Sequence, residues 1–339
     1  MSINISDGIE SGNLTIKILT TNTVDIALLT EDKFNGKVIQ PGADAVRAVG
    51  EHGLAMSIRI EDNEIINNFL LDTGGLMSTI IENSKVFKVN LGGIEKLVLS
   101  HGHLDHFGGL TKVIPLLKEG CEIILNPECY YQNHVVRFRE GEDVPVEDLG
   151  TSLRKLIKEG IIKKYMKFPV LNRSIITKLA NEHNIKIIET RNPQKLHRGG
   201  TTSGEIRLFD TNEITRSLYI SKEKKIFEKY MARDETSIYI NVKDKGLVIL
   251  TGCGHVGVIN TIKHAQKLTG INEIYAIIGG LHKIWGPIQT IEDLIQFIEE
   301  LNPEVVCGMH CTGFEFNKRL SMRDHPSHTL GVTGTEFHL

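Results

Sequence analysis

The sequence predicts an α/β fold, and three observations support this prediction. Short apolar runs alternate with longer segments of helical periodicity. The 339 residues are 40% hydrophobic and 24% charged, which is enough apolar material for a large buried core. Several apolar runs end in glycine-rich turns that contain histidine, as strands do when they deliver side chains to one rim of a sheet.

The first part of the chain is predicted to be a β-meander that passes into alternating strands and helices. Residues 14–29 are β-rich, and residues 55–60 and 65–72 form a pair of strands joined by a turn at Glu61-Asp62-Asn63. After them we expect a helix, a strand, a helix and a strand, at residues 79–86, 97–99, 110–118 and 122–125 respectively.

Residues 126–230 interrupt this alternation with charged, lysine-rich sequence, in which amphipathic helices are predicted at 152–158 and 174–183. We therefore expect one domain over residues 1–339, with 126–230 as an inserted lid or subdomain. The alternation then resumes. Strands are predicted at 237–242, 247–250, 273–278 and 305–309, and helices at 258–268 and 291–301.

Charge and cysteine content narrow the class of protein. A net charge of −3 and the lack of basic stretches interleaved with aromatic residues argue against nucleic acid as a partner. Five cysteines without C-x-x-C spacing predict neither a disulfide framework nor a cysteine zinc knuckle, which fits a reducing cytoplasm. No apolar run approaches the roughly 20 residues of a membrane span. We expect a small-molecule substrate, and the sequence leaves a homo-oligomer open.

The most specific motif is the segment from Ser100 to Gly109, which follows the apolar run 97–99. It contains the order H-x-H-x-D-H, formed by His101, His103, Asp105 and His106. Imidazole nitrogen and carboxylate oxygen are ligands for zinc, iron or manganese, and the spacing lets one turn of chain face two ions. A histidine-rich surface loop is the alternative, but loops after buried strands commonly line sites.

Two further predicted strands also end in histidine. The strand at 247–250 leads into Cys253-Gly254-His255, and the strand at 305–309 leads into His310. We predict that His255 completes a first ion site with His101 and His103, and that His310 completes a second with Asp105 and His106. Each histidine alone could be a hydrogen-bonded turn residue, and Cys253 could ligate, bridge or simply pack. The recurrence at successive strand ends favours the metal sites.

Two other strand ends suggest supporting roles. Asp72 follows a strand and precedes two glycines, where it could fix a metal-bound histidine through its second ring nitrogen or cap the next turn. His282 follows Gly279-Gly280 and is predicted to contact substrate or act as a general acid, with a structural role as the alternative.

Taken together, these motifs resemble the metallo-β-lactamase superfamily. More narrowly, they resemble the branch of 7,8-dihydropterin-6-methyl-4-(β-D-ribofuranosyl)aminobenzene-5'-phosphate synthase and related metal-dependent hydrolases. The resemblance implies an αβ/βα four-layer sandwich with two metal ions at one edge between the sheets. Cys253 stands where the superfamily has a bridging aspartate, and the earlier third histidine is missing near Arg233-Asp234-Glu235, so that His255 or Asp234 would substitute for it.

The function expected from this resemblance is a dinuclear enzyme, holding two divalent ions, zinc or alternatively manganese or iron. It would act as a hydrolase or transferase on a phosphate-bearing small molecule, including the dihydropterin condensation of the synthase branch, with Asp105 and His282 in catalytic roles. A di-iron redox protein is a second hypothesis, although the sequence contains no flavodoxin-like or iron–sulfur segment. A non-catalytic metal-binding module is the third.

Overall fold

The computed structural model describes residues 2–62, 65–139, 146–211, 218–223, 226–284, 287–323 and 325–339. Within these ranges the strands, numbered along the chain, are β1 (Leu14–Thr20), β2 (Val38–Ile39), β3 (Ala55–Asp62), β4 (Ile65–Leu71), β5 (Lys96–Val98), β6 (Glu122–Leu125), β7 (Gln132–Phe138), β8 (Ile162–Lys167), β9 (Lys186–Glu189), β10 (Lys195–His197), β11 (Gly200–Thr202), β12 (Leu218–Glu223), β13 (Ile226–Lys229), β14 (Ile238–Val242), β15 (Gly246–Thr251), β16 (Ile274–Gly280), β17 (Val305–Met309) and β18 (Glu336–His338). The α-helices are α1 (Thr79–Val86), α2 (Leu104–Phe107), α3 (Leu110–Val113), α4 (Val146–Lys158), α5 (Arg173–Glu182), α6 (Val258–Thr269), α7 (Ile288–Leu301) and α8 (Phe314–Met322).

Two large mixed sheets form the body of the fold. One has the order β2-β18-β1-β3-β4-β5-β6-β9 and the other the order β10-β11-β14-β15-β16-β17. Side chains such as Ile16, Ile58, Ile240 and Val248 interdigitate between the sheets in a shared apolar core. This packing brings the two sheets face to face.

Helices cover the outer face of each large sheet. Apolar residues of α1, α3 and α5, including Ile80, Leu110 and Ile176, pack on the first sheet. Helices α6, α7 and α8 pack on the second sheet through residues such as Ile262 and Leu294. The layer order is therefore helix, sheet, sheet, helix, which confirms the predicted αβ/βα four-layer sandwich.

A third, four-stranded sheet lies outside this sandwich, with the order β13-β12-β7-β8. All four strands fall within the predicted insert 126–230. The same range also contains β9, β10 and β11, which belong to the two large sheets, and α5, which packs on the first. That residues 126–230 act as a lid remains a prediction.

The carboxyl ends of two sets of parallel strands meet at one edge of the sandwich. Strands β4, β5 and β6 are parallel in the first sheet, and β15, β16 and β17 are parallel in the second. Parallel neighbours end on the same side of a sheet, so the loops after β4, β5, β15, β16 and β17 converge. These loops carry the predicted site residues.

The predicted elements differ from the described structure in several places, three of which lie before, within and directly after the histidine motif of residues 100–109. The β-rich stretch 14–29 is wrong beyond Thr20, because the following residues pair with no strand and Ile26 and Leu29 are exposed. The helix predicted at 110–118 ends at Val113 and passes into a 3-10 turn, since Pro115 cannot donate a helical N–H. The motif expected in an extended loop ends in the short helix α2, which carries Asp105 and His106.

Candidate metal centre

Three imidazoles converge to form the first donor set. His101 Nε2 lies 3.0 Å from His103 Nδ1, which in turn lies 3.0 Å from His255 Nε2. Two ligand nitrogens on one tetrahedral zinc, each at about 2.0–2.1 Å, stand roughly 3.3 Å apart. The spacing of these nitrogens therefore fits a single ion between them, and we call His101, His103 and His255 the first donor set.

The second donor set comprises Asp105, His106 and His310. His106 Nε2 and His310 Nε2 are 3.1 Å apart, and Asp105 Oδ2 lies 3.2 Å from His310 Nε2 and 3.8 Å from His106 Nε2. This nitrogen and oxygen chemistry suits a second divalent cation. Asp105 and His106 lie in the short helix α2, which begins directly after His103 of the first donor set.

One buried carboxylate, Asp72, positions a ligand ring and a loop at the edge of the first sheet. Asp72 lies 2.6 Å from His106 Nδ1 and accepts hydrogen bonds from the N–H and the hydroxyl of Ser100 at 2.7 and 2.6 Å. Its left-handed backbone, with φ of 61°, turns the chain at the end of β4. Asp72 therefore orients His106 so that Nε2 faces the second donor set.

Asp234 and Glu235 hold the two loops that carry the first donor set. Asp234 accepts the Gly102 N–H at 2.9 Å and the Tyr230 hydroxyl at 2.8 Å. Glu235 accepts the main-chain N–H groups of His255 at 3.0 Å and of Val256 at 2.6 Å, together with that of Gly254. These adjacent carboxylates thus connect the His101–His103 loop to the loop after β15.

A third group of potential donors contains sulfur. Cys253 Sγ lies 2.8 Å from Cys311 Sγ and 3.3 Å from His282 Nδ1, and these three residues are close enough to share one ion. The His282 ring also packs against His255, with a centroid separation of 4.0 Å. His282 has a left-handed backbone, with φ of 42°.

His52 approaches the second donor set from the rim. Its Nε2 lies 3.4 Å from Asp105 Oδ2, and its ring lies 4.8 Å from that of His310. This approach needs glycine at the next position, because a Cβ on Gly53 would lie 2.8 Å from the Asp105 carbonyl oxygen. His52, Asp105 and His310 also form a potential metal-binding group.

The protonation of the first donor set favours cation binding. Burial lowers the pKa of His101 and His255 well below the ordinary value, and neighbouring imidazoles lower it further. Burial alone would also lower the pKa of His106, but Asp72 and Asp105 outweigh it and raise the pKa to about 9. Neutral rings offer lone pairs to a metal, and a cation opposite Asp105 would displace the proton on His106.

The structure brings all six predicted ligands into the two donor sets. Asp72 lies beside His106, and Cys253 and His282 lie together beside Cys311. Asp234 makes its contacts with the Gly102 N–H and with Tyr230. Sequence reasoning missed His52 and Cys311 as donors. Cys311 was adjacent to a predicted ligand, whereas no local signal marks His52.

One pocket opens onto His103, Asp105 and His255 of the two donor sets. It has a volume of about 400 Å³ and is lined from the sandwich by residues including His52, Asp105 and His282. Its opposite wall comes from the four-stranded sheet, with Val135, Arg137, Met166 and Leu218, and from Phe168, which directly follows β8. The lining is predominantly apolar, as in most small-molecule sites.

The comparisons with known proteins agree with the observed fold. Residues 66–150 match the family model of the metallo-beta-lactamase superfamily. Together with a relative that is 30% identical over most of both chains, this match shows that the chain belongs to the superfamily.

Two relatives and one solved structure match most of the chain. It is 30% identical over 271 residues to 7,8-dihydropterin-6-methyl-4-(beta-D-ribofuranosyl)-aminobenzene-5'-phosphate synthase of Methanocaldococcus jannaschii, covering 78% of this chain and 82% of the relative. It is 26% identical to protein MJ0448 of the same organism, covering 80% and 88% of the two chains. The crystal structure of Tm1679, a metal-dependent hydrolase of the beta-lactamase superfamily, shares the fold with a TM-score of 0.65 at 18% identity, covering 96% and 99%.

Across the described residues, no helix combines the length and apolarity that crossing a bilayer would need.

Proposed function

We propose that the protein is a dinuclear metal-dependent hydrolase or transferase acting on a phosphate-bearing small molecule. The observation that carries the proposal is the pair of adjacent donor sets at the base of one pocket, His101, His103 and His255 beside Asp105, His106 and His310. The relationship to the dihydropterin synthase supports the phosphate-bearing substrate, and condensation of a dihydropterin with a ribofuranosyl-aminobenzene phosphate is our finer proposal.

Two divalent ions, which we propose to be zinc, would supply Lewis acidity that activates an attacking oxygen and neutralises charge on the phosphate. Asp105 is assigned a second role in accepting a proton from the attacking group, because it both joins the second donor set and lines the pocket. His282 lines the same pocket and would donate a proton to the leaving oxygen. The apolar opposite wall would exclude water from the bound substrate.

Elemental analysis combined with a substrate screen tests this proposal. We expect two ions per chain after reconstitution with zinc, and turnover of at least one substrate among phosphodiesters, phosphomonoesters, lactones and pterin diphosphates. His103→Ala should lose about one ion and reduce turnover at least a hundredfold. The substitution removes His103 Nδ1, which lies between the ligand nitrogens of His101 and His255. His183→Ala, at an exposed helix end, is the matched control and should retain both.

The outcomes separate the alternatives. Full activity in metal-depleted His103→Ala protein would contradict the assignment. Iron as the required metal, together with oxygen or nitric oxide reduction, would favour the di-iron redox protein. Two bound ions without turnover of any substrate would favour a non-catalytic module.

A further inference from the structure

The register of the four-stranded sheet places one apolar row of side chains on the wall of the pocket. Val135 of β7 is paired with Leu218 of β12 on one side and with Met166 of β8 on the other. Residues paired directly across a ladder project from the same face of a sheet. All three line the pocket, and we call Leu218, Val135 and Met166 the apolar row.

A cationic row lies next to the apolar row on the same face. Arg137 follows Val135 by two positions in β7, so that it projects to the same side, and it also lines the pocket. Its partner across the ladder is Lys164, which precedes Met166 by two positions in β8. Both side chains are exposed. We call Arg137 and Lys164 the cationic row.

Phe168 fixes the direction of these rows relative to the metal centre. Its ring lies 5.2 Å from that of His103, so this end of the wall touches the first donor set. Lys164 lies four residues earlier along the same extended chain, a span of about 13 Å at ~3.3 Å per residue. The wall therefore runs from the metal centre over the apolar row to two positive charges.

The opposite face of the four-stranded sheet packs against helix α4 and does not line the pocket through any described residue. Val136, Tyr219 and Phe227 pack there with Leu156 of α4 in a small core of their own. Lys167 is paired with His134 and is adjacent to Met166, so it projects to this opposite face. Lys167 thus offers a control with the same charge on the same strand.

We propose that Arg137 and Lys164 determine specificity by binding a second anionic group of the substrate. The substrate class is a flat aromatic or heteroaromatic phosphate that carries a further carboxylate or phosphate at its far end. Its ring lies on the apolar row, while the guanidinium and ammonium groups hold the distal anion through charge-assisted hydrogen bonds. This assignment rests on the proposed function for the placement of the first phosphate at the metal centre.

Two synthetic ligands test the cationic row, 2-naphthyl phosphate and 6-carboxy-2-naphthyl phosphate, which differ only in a carboxylate at the far end of the ring. Calorimetric titration of the zinc-loaded wild-type protein should show about tenfold tighter binding of the carboxylated ligand. The double variant Arg137→Gln, Lys164→Gln should lose this preference and keep its affinity for 2-naphthyl phosphate. Lys167→Gln should retain the wild-type preference.

The proposal is overturned if the wild-type protein binds neither ligand or shows no preference, if the double variant keeps the preference, or if Lys167→Gln loses it equally. Zinc uptake, measured in parallel, separates failure of the cationic row from failure of the proposed function. If the wild-type protein takes up no zinc but still prefers the carboxylated ligand, the cationic row is supported and the dinuclear enzyme is contradicted. If it takes up zinc and turns over a substrate but shows no preference, the dinuclear enzyme is supported and the cationic row is contradicted.

Discussion

At the scale of single residues, buried carboxylates determine where the donor atoms lie. Asp72 contacts His106 directly, whereas Asp234 and Glu235 act on main-chain N–H groups of the ligand-bearing loops. Outer contacts of this kind orient ligands before the ion arrives, and their loss typically weakens metal binding about 10-fold to 100-fold. Of these three carboxylates, Glu235 accepts the most main-chain N–H groups, those of residues 254–256.

Glu235→Gln should weaken zinc binding about 10-fold to 100-fold. Burial raises the pKa of Glu235 to about 7, and the three N–H groups of residues 254–256 act in the opposite direction. A glutamine presents an NH₂ group in place of one accepting oxygen, so that at least one N–H loses its acceptor and the loop carrying His255 shifts. Competition with a chromogenic chelator measures the change in affinity.

Glu82→Gln, on the exposed side of α1, is the control and should bind zinc as the wild type does. Unchanged zinc affinity in Glu235→Gln, accompanied by lower thermal stability alone, would show that Glu235 supports the fold without positioning the ligands.

Residue type and spacing made most donors predictable. The H-x-H-x-D-H order and the histidines after glycine-flanked strands are local signals, and the structure brings all of those residues together. The contact between His52 and Asp105 depends on two loops distant in sequence, so no local pattern marks it. Asp234 was named from the sequence as a supporting residue or possible ligand. Glu235 was missed, because a carboxylate that accepts main-chain N–H groups has no characteristic spacing in the sequence.

At the scale of elements, the close approach of β15, β16 and β17 brings the sulfur-containing group together. β16 lies between the other two strands, and Gly280 ends it at the level of Cys253 and Cys311. A Cβ on Gly280 would lie 2.4 Å from the Gly252 carbonyl oxygen and 2.9 Å from Cys311 Sγ. The lack of a side chain therefore lets the two thiols meet across the end of the strand.

Gly280→Ala should lower the free energy of unfolding by about 1–3 kcal/mol, as overpacking of a tight core does. Because the added methyl group displaces Cys311, the neighbouring His310 should move and the second ion should bind more weakly. Urea unfolding and zinc titration measure the two effects.

Gly200→Ala in β11 is the matched control, since its Cβ would meet other side chains only at 3.6 Å or more. It should change stability by less than about 0.5 kcal/mol. Wild-type stability and zinc binding in Gly280→Ala would refute the close packing of these strand ends.

The regular elements were predictable because their periodicity is strong. The predicted ranges 79–86, 122–125 and 305–309 coincide with α1, β6 and β17. The four-stranded sheet was missed, since β7 and β8 are rich in polar and charged residues and their pairing is set by α4 and the pocket rather than by local alternation.

At the scale of the whole molecule, a sandwich holds the metal centre and a separate small sheet closes one side of the pocket. The small sheet depends on buried polar groups of its own. His134 in β7 is buried between the Tyr165 hydroxyl and Ser221 Oγ, at 3.1 and 2.9 Å. Burial, assisted by Lys167, lowers its pKa to about 4.

This histidine makes stability depend on pH. The folded state resists protonation down to about pH 4, whereas the unfolded chain takes up a proton near the ordinary value of 6.5. The unfolded state therefore binds more protons within this window, and stability falls as the pH is lowered through it. Between pH 7 and pH 5, His134 should account for a loss of about 2 kcal/mol. His328, whose pKa burial also lowers to about 4, acts in the same direction.

Urea unfolding of His134→Gln at pH 7 and pH 5 measures this contribution. The variant should lose about 2 kcal/mol less than the wild type on acidification. His183→Gln should show the wild-type difference between the two pH values. An equal acid sensitivity in His134→Gln and wild type would show that His134 is not held neutral by the fold.

Anomalous X-ray diffraction from crystals of the zinc-loaded protein tests the central claim most directly. Two peaks should appear at the base of the pocket, one within about 2.1 Å of His101 Nε2, His103 Nδ1 and His255 Nε2, and the other in contact with Asp105, His106 and His310. A single peak, or peaks held by Cys253 and Cys311 with the first donor set empty, would contradict the dinuclear centre.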